Sequence, residues 1–290
     1  MLRFIFAVGF AILYLIVGIP VLGIEYLIGK VNPQKCDISS LRMVQWAFRV
    51  IIKICGVKTT VVGYENIPRD EAVLYVANHN SYFDIIITYS MCPGLTGYIS
   101  KASIGKIPLL NLWMKRLYCL FMDRKDVKQS LKIILQAAEQ IKNGISVCIF
   151  PEGTRGDSTE MMPFKSGSLK MAEKTGCPIV PIAIYNTRSI ISDHFPVVSP
   201  AHVTIEYGKP IYTRDLPKED KKALARITQN AIQEMLDHMG TNTPSGSSSR
   251  LDGKTPERIP AKTAVKTSDI TPGTLKSSGD VCRTPAAGYR

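Results

Sequence analysis

The sequence lacks the cysteine, histidine and serine patterns that mark several common protein classes. Its seven cysteines form no Cys-x-x-Cys pair and no cluster with the four histidines, which argues against a disulfide scaffold or a structural zinc site. It also has no Gly-x-Ser-x-Gly turn of a serine hydrolase, because the nearest stretch, Gly144–Cys148, ends in cysteine. These absences predict a reduced domain that faces the cytosol and holds no metal.

Acidic residues are too few to balance the basic ones. The 290 residues include 36 Lys+Arg and 24 Asp+Glu, so the net charge is +12, which indicates an anionic partner. Residues 241–290 carry eight basic and four acidic side chains in a Ser-, Thr- and Pro-rich stretch that we expect to be a disordered tail. Because no nucleic-acid reader motif is recognisable and other basic residues flank an apolar segment, we favour a lipid surface and expect no nucleic-acid partner.

Charge is absent altogether between Phe4 and Ile24. These 21 residues would reach about 31 Å as a helix, close to the thickness of a bilayer's hydrocarbon core. No small-residue cleavage site follows, which favours a membrane anchor over a signal peptide. A kink at Pro20 would allow a re-entrant hairpin, so both a spanning and a re-entrant anchor remain open. Basic residues after the run predict that the main domain lies on the cytoplasmic face, of a bacterial inner membrane or of a eukaryotic endoplasmic reticulum.

A second apolar segment, 41–55, carries a polar stripe at helical spacing. Arg42, Gln45, Arg49 and Lys53 form this stripe. Two interpretations remain: a helix in the membrane interface with its basic stripe toward anionic headgroups, or a core helix with one solvent-exposed edge.

Between the two ends of the chain, strand and helix patterns alternate. Compact β-branched runs predict strands and longer amphipathic runs predict helices. The predicted strands are 57–62, 72–77, 97–100, 146–150, 179–185 and 203–207, with a short apolar run at 119–122. Four helices are predicted: one begins at 84, and the others cover 109–117, 127–143 and 224–239. This order predicts an α/β domain with a mixed, mainly parallel sheet flanked by helices. Pro178 and Pro181 indicate a rigid sheet edge.

The composition divides the chain into three parts. We expect a membrane anchor with an amphipathic interfacial helix at 1–55, a folded domain at 56–240 and the basic tail at 241–290.

The first group of chemistry-bearing residues follows the strand at 72–77. His79 lies in the turn, and Ser81-x-x-Asp84 has the form of a capping box, which puts Asp84 at the third helical position. Its carboxylate then points back toward the His79 ring. A carboxylate that accepts one imidazole N–H leaves the other ring nitrogen free as a base. The alternative is a plain helix cap beside a hydrogen-bonded turn histidine.

The second group, 150–155, lies at the carboxyl end of a strand, where open α/β sheets bind ligands. Gly153 allows a ligand to approach the backbone closely, and the planar guanidinium of Arg155 suits a phosphate. Glu152 is a candidate acceptor for a polyol hydroxyl or a partner that orients Arg155. The alternative is a tight turn with a local Glu152–Arg155 pair. Lys165 and the residues after it are further candidate donors to the same anion.

Four motifs in sequence resemble those of the glycerolipid acyltransferase family, in particular its 1-acylglycerol-3-phosphate acyltransferases. They are N-H-x-S-x-x-D at 78–84, M-D-R at 122–124, F-P-E-G-T-R at 150–155 and C-P-I-V-P at 177–181. The resemblance covers roughly residues 55–215 and leaves the tail outside. It implies that His79 is the catalytic base and Asp84 its partner. It further implies that the acceptor phosphate is bound by Glu152, Gly153, Thr154, Arg155, Arg124 and, as a less specific match, Lys101.

The resemblance also implies a reaction. An acyl group would pass from acyl-CoA or acyl-carrier protein to the sn-2 hydroxyl of 1-acyl-sn-glycerol 3-phosphate, forming phosphatidic acid in phospholipid biosynthesis, with no cofactor beyond the acyl donor. The expected partners are the lysophospholipid acceptor, the acyl donor and the bilayer. Three alternatives stay open: an acyltransferase for glycerol 3-phosphate or another lysophospholipid, a membrane-anchored lipid hydrolase, and a non-catalytic binder of lipid phosphates.

Overall fold

The computed structural model describes residues 1–156 and 161–241 and the backbone of 265–266. The helices are α1 (Leu2–Val31), α2 (Pro33–Cys55), α3 (Tyr82–Ser90), α4 (Leu110–Arg116), α5 (Val127–Lys142), α6 (Lys170–Thr175), α7 (Arg188–Ile191), α8 (Lys218–Lys222) and α9 (Leu224–Thr241). The strands are β1 (Lys58–Val62), β2 (Leu74–Ala77), β3 (Thr96–Lys101), β4 (Leu120–Met122), β5 (Ser146–Ile149), β6 (Pro178–Tyr185), β7 (His202–Tyr207), β8 (Ile211–Tyr212) and β9 (Val265–Lys266). The expected disordered tail at 241–290 lies outside the described residues except for Thr241 and β9.

The strands form one sheet in the order β4-β3-β5-β2-β6-β7-β1-β9, with β8 paired to β6. The pairs β4–β3, β3–β5, β5–β2, β2–β6 and β1–β7 are parallel, whereas β6–β7, β6–β8 and β1–β9 are antiparallel. The predicted mixed, mainly parallel sheet is therefore confirmed.

Helices cover both faces of the sheet. Alternate residues of β2 belong to different cores: Tyr75 and Ala77 pack with α2, α3 and α4, and Leu74 and Val76 pack with α5, α6 and α9. All four side chains are buried, as expected for a central strand that is covered on both faces. The result is a three-layer α/β/α domain.

Strand β6 corrects one prediction from the sequence. It lies between β2 and β7 in the interior of the sheet, so the sheet edge inferred from its prolines was wrong. Pro178 pairs with β8, and Pro181 lies where the antiparallel partner changes from β8 to β7. A proline lacks the N–H that a continuous partner would need, and the change of partner at this point accommodates it.

Helices α1 and α2 form a helical hairpin whose turn is at Asn32. The Asn32 side chain accepts a hydrogen bond from the backbone of Lys35 at 3.1 Å, and Pro33 occupies the first turn of α2. Pro20 lies inside the continuous helix α1. Within the part of the chain that the structure describes, α1 is the one helix whose length and apolar composition would suffice to cross a membrane.

Helix α2 packs against the domain through its apolar residues and Gln45, while the other members of the predicted polar stripe, Arg42, Arg49 and Lys53, are exposed. Gln45 is buried, and its amide donates to the carbonyls of Tyr89 and Cys92 at 3.3 and 2.8 Å. Arg49 donates to the carbonyl of Ser90 at 3.3 Å. These contacts support the core-helix interpretation of 41–55, while Trp46 stays 55% exposed on another side.

Candidate active site

The two sequence motifs meet at one edge of the sheet. His79 follows β2 and Arg155 follows β5, and these parallel strands are neighbours. The backbone N–H of His79 donates to Glu152 Oε1 at 2.6 Å, and the backbone N–H of Gly156 donates to the His79 carbonyl at 2.9 Å. The 152–156 loop therefore holds both backbone polar groups of His79.

Asp84 binds the His79 ring. Its Oδ2 lies 2.9 Å from His79 Nδ1 and also accepts the backbone N–H groups of Asn80 and Ser81, each at 2.7 Å. Ser81 caps α3, and the predicted capping box is present. Since Asp84 is fully buried and acts as the acceptor, the network assigns the ring proton to Nδ1. The His79 side chain is 12% exposed, which leaves Nε2 as the nitrogen available to a substrate.

The Phe150 ring supports the imidazole from one side. The ring centroids of Phe150 and His79 are 4.2 Å apart and their planes differ by 23°. Offset stacking at this distance restricts rotation of the histidine ring and excludes water from one of its faces.

Glu152 is buried and links the two loops. Its Oε1 accepts from His79 as described, and its Oε2 accepts the backbone N–H of Met162 at 3.0 Å. Burial raises the pKa of Glu152, and the two backbone hydrogen bonds partly oppose that rise. Among the described residues, Glu152 forms no ion pair with Arg155, so the local pair considered for this turn is not formed.

Arg155 is exposed and lies against α3. Its guanidinium carbon is 3.8 Å from the centroid of the Tyr82 ring, at the first turn of the helix that His79 precedes. Gly153 has φ +81°, and a Cβ at that position would come within 2.8 Å of Lys165 Nζ. Thr154 is exposed between these two residues. Two cations, Arg155 and Lys165, thus lie at the loop that binds the backbone of His79.

Lys101 and Arg124 lie at the same edge of the sheet, farther from His79 in strand order. Lys101 ends β3 and is in register with Met122 of β4, two residues before Arg124. Both side chains are exposed. Their assignment to the acceptor phosphate stays a prediction.

Sequence reasoning missed two residues that support the site. Asn78 is buried, and its side-chain amide pairs with both backbone polar groups of Ile184 in β6, at 2.9 and 2.8 Å. Thr187 follows β6 and donates its hydroxyl to Asp84 Oδ1. Asn78 begins the N-H-x-S-x-x-D motif and Thr187 lies outside all four motifs, but the contacts of both depend on β6 lying beside β2, which no local pattern encodes.

A cavity of about 810 Å³ lies elsewhere, between β7, β8 and α9. Its lining includes Glu206, Lys209 and His238. It includes no residue of the loops that follow β2 and β5 (78–81 and 150–156), which we call the motif loops.

Comparisons with known proteins agree with the sequence motifs. A family model described as Acyltransferase matches residues 58–185. The 1-acyl-sn-glycerol-3-phosphate acyltransferase of Borreliella burgdorferi is 30% identical over 200 residues, which are 68% of this chain and 79% of the relative. The enzyme of the same name from Saccharomyces cerevisiae is 28% identical over 211 residues, covering 70% of this chain and 69% of the relative.

A solved structure shows the same fold. The crystal structure of the 1-acyl-sn-glycerophosphate (LPA) acyltransferase PlsC from Thermotoga maritima matches with a TM-score of 0.74 and 24% identity, over 84% of this chain and 97% of the other. Family model, relatives and fold agree: the chain belongs to the glycerolipid acyltransferase family and is an acyltransferase.

Proposed function

We propose that the enzyme transfers an acyl group from acyl-CoA or acyl-carrier protein to the sn-2 hydroxyl of 1-acyl-sn-glycerol 3-phosphate, forming phosphatidic acid for phospholipid biosynthesis. One observation carries the proposal: the Asp84-bound imidazole of His79 is attached through its own backbone to the loop that bears Arg155. A base and an anion site are therefore fixed relative to each other, as a phosphorylated alcohol requires. The names of the relatives support the same acceptor.

His79 acts as the general base in the proposed reaction. Its Nε2 takes the proton of the sn-2 hydroxyl as that oxygen forms a bond to the thioester carbonyl carbon. The C–S bond then breaks, and the imidazolium returns the proton to the leaving thiolate. Asp84 stabilises the imidazolium through the hydrogen bond to Nδ1. General-base assistance of this kind contributes about 10²- to 10⁴-fold to the rate.

Arg155 binds the acceptor phosphate in this scheme. Its guanidinium can form two parallel hydrogen bonds to phosphate oxygens, and Lys165 adds a second positive charge beside Gly153. Fixing the phosphate fixes the hydroxyl relative to Nε2, which converts an encounter in solution into a reaction of one oriented complex. Since the chain lacks a serine nucleophile turn, transfer is direct, within a complex of both substrates.

The hairpin holds the enzyme to a membrane without crossing it. Helix α1 touches the domain along its length: Phe4 lies 5.8 Å from Phe195, and Tyr14 lies 5.4 Å from Trp113, between ring centroids. Near the other end of α1, the Cys36 thiol donates a hydrogen bond to the Glu25 carboxylate. Arg116 of α4 in turn donates to the sulfur of Cys36. A spanning helix would move away from the domain, so we propose that α1 lies along the cytoplasmic face with its exposed side in one leaflet.

The test is an assay of the purified enzyme with one acyl-CoA or acyl-carrier protein and several acceptors. Lysophosphatidate should be acylated faster than glycerol 3-phosphate, lysophosphatidylcholine or monoacylglycerol, and free CoA should appear only when an acceptor is present. CoA release without an acceptor would indicate a hydrolase, and binding of lysophosphatidate without turnover would indicate a non-catalytic lipid binder. A faster reaction with another acceptor would overturn the substrate assignment.

A further inference from the structure

A third segment, Thr187–Ser192, follows β6 and contacts both the loop after β2 and the loop after β5. Thr187 is 1% exposed, and its hydroxyl donates to Asp84 Oδ1, the oxygen that does not face His79. Arg188 donates to the carbonyl of Gly156, and Ser192 donates to the hydroxyl of Ser81 at 3.2 Å. One short stretch thus reaches the aspartate, the helix cap and the anion-binding loop.

The local backbone directs Thr187 toward Asp84. The preceding residue, Asn186, adopts the left-handed conformation with φ +68°, which asparagine tolerates better than most residues. The Asn186 amide donates to the carbonyl of His202 at 2.9 Å and holds the turn at the end of β6. On the other side, Asn78 fixes the end of β2 to Ile184. Both ends of the Thr187–Asp84 hydrogen bond are therefore anchored to the sheet.

Every hydrogen bond to the Asp84 carboxylate comes from a fixed donor. Oδ2 receives His79 Nδ1 and two backbone N–H groups, whereas Oδ1 receives Thr187. Because Asp84 is fully buried, loss of the hydroxyl would leave Oδ1 without that donor in a site where a buried acceptor needs one. The carboxylate would then rotate toward other donors and change its alignment with the imidazole.

We propose that Thr187 is a positioning residue for the acyl transfer, acting through Asp84 on the orientation of His79. The inference rests on the proposed function, because it assumes that His79 is the base. Thr187 lies outside the four motifs that carried the resemblance and is 103 positions after Asp84 in the sequence.

The experiment compares Thr187→Val, which replaces the hydroxyl by a methyl group, with Thr187→Ser, which keeps it. We expect Thr187→Val to lower kcat by about 10- to 100-fold, the same range as the loss caused by removing a partner that orients a metal-bound histidine. KM for both substrates should stay within about twofold, and Thr187→Ser should keep kcat within about threefold of the wild type. Thr187→Ala provides a second hydroxyl-free variant if the valine variant does not fold.

Thr213→Val is the matched control. Thr213 is also 1% exposed, and its hydroxyl donates to the carbonyls of Ala172 and Cys177, on the other side of the fold from the motif loops. This variant should lose thermal stability with unchanged kcat. If Thr187→Val and Thr187→Ala changed kcat no more than Thr213→Val does, or if Thr187→Ser were as slow as Thr187→Val, the positioning role would be wrong.

A double-mutant cycle separates this inference from the proposed function. In an Asp84→Ala background Thr187→Val should cost no further activity, because the group through which it acts is gone. Additive losses would contradict action through Asp84. An active His79→Ala variant would instead reject the base assignment itself, whatever Thr187→Val does.

Discussion

The site loops after β2 and β5, here called the motif edge of the sheet, and the α1–α2 hairpin differ in what they bury. At the motif edge, polar groups far apart in sequence are buried and bonded to one another, such as His79 to Glu152 and Thr187 to Asp84. In the hairpin, α1 buries only Gly18 and Glu25 and leaves most of its apolar side chains exposed. The first region gains its geometry from a few fixed hydrogen bonds. In the function proposed above, the hairpin would gain its affinity for the membrane from its exposed apolar area. Variants should therefore separate turnover from membrane binding.

The largest effect is expected at His79. His79→Ala should lower kcat by about 10²- to 10⁴-fold, because the proton of the attacking hydroxyl loses its acceptor. Binding of lysophosphatidate, measured by titration, should change little, since Arg155 remains. His202→Ala is the control: His202 is an exposed histidine whose ring is hydrogen-bonded to Thr60. Turnover by His79→Ala equal to that of His202→Ala would refute the base assignment.

A variant on the exposed side of α1 should lose membrane binding and keep turnover. Ile12 and Ile16 are both 53% exposed, and the pair Ile12→Glu with Ile16→Glu should weaken binding to phosphatidylglycerol-containing vesicles by about 100-fold. Activity on a short-chain acceptor dissolved in detergent should be retained. Vesicle flotation and the detergent assay measure the two quantities separately.

The matched control for this pair lies in the opposite layer. Leu131 and Leu135 of α5 have the same spacing and are 51% and 45% exposed. Leu131→Glu with Leu135→Glu should leave vesicle binding unchanged. Equal losses from the two pairs would mean that α1 is not the membrane-binding surface.

A smaller effect is expected at Arg155. Arg155→Ala should raise KM for lysophosphatidate by about tenfold, the loss of one charge-assisted contact to phosphate, and should not affect an acceptor that lacks a phosphate. Arg214→Ala is the control, because Arg214 is another exposed arginine near a tyrosine ring and is paired with Glu71. A KM increase that was the same for phosphorylated and unphosphorylated acceptors would contradict the phosphate role.

The smallest effect concerns pH and Glu152. Since burial raises the pKa of Glu152 in the folded state, its protonated form favours folding, and that contribution is lost as pH rises from the unfolded value of 4.5 through the folded value. The Tm of the wild type relative to Glu152→Gln should therefore fall as pH rises through this window. Because the glutamine amide cannot accept both backbone N–H groups, kcat should fall as well.

Glu206→Gln sharpens this test. Burial also raises the pKa of Glu206, away from the motif loops, so this variant should show the same direction of Tm change with pH and an unchanged kcat. A Tm difference between wild type and Glu152→Gln that did not vary with pH would contradict the raised pKa.

The sequence was sufficient wherever the structure depends on local patterns. The strands and helices that were predicted for the central domain lie within about two residues of the observed ones, whereas the short elements α6, α7, α8 and β8 were not predicted. Ser81 and Asp84 form the capping box that their spacing predicted. The position of 150–155 at the carboxyl end of a strand was predicted from its local pattern, and the shared site with His79 was implied by the family resemblance.

The remaining features depend on strand order, which no local pattern encodes. Thr187 reaches Asp84 only because β6 lies beside β2, and Pro181 is tolerated inside the sheet only because its partner changes there. Glu152 was expected to face a ligand, yet both of its carboxylate oxygens accept backbone N–H groups that are 73 and 10 residues away. A kink was predicted at Pro20, but Pro20 lies inside the continuous helix α1, and the hairpin turns at Asn32, one residue before Pro33.

The most direct test of the account is a structure of the wild-type enzyme with lysophosphatidate bound and no acyl donor present. The account predicts the phosphate in contact with Arg155 and the sn-2 hydroxyl oxygen within about 3.2 Å of His79 Nε2. A phosphate bound elsewhere, for example beside Lys209 in the cavity under α9, or an sn-2 hydroxyl turned away from the imidazole, would contradict it.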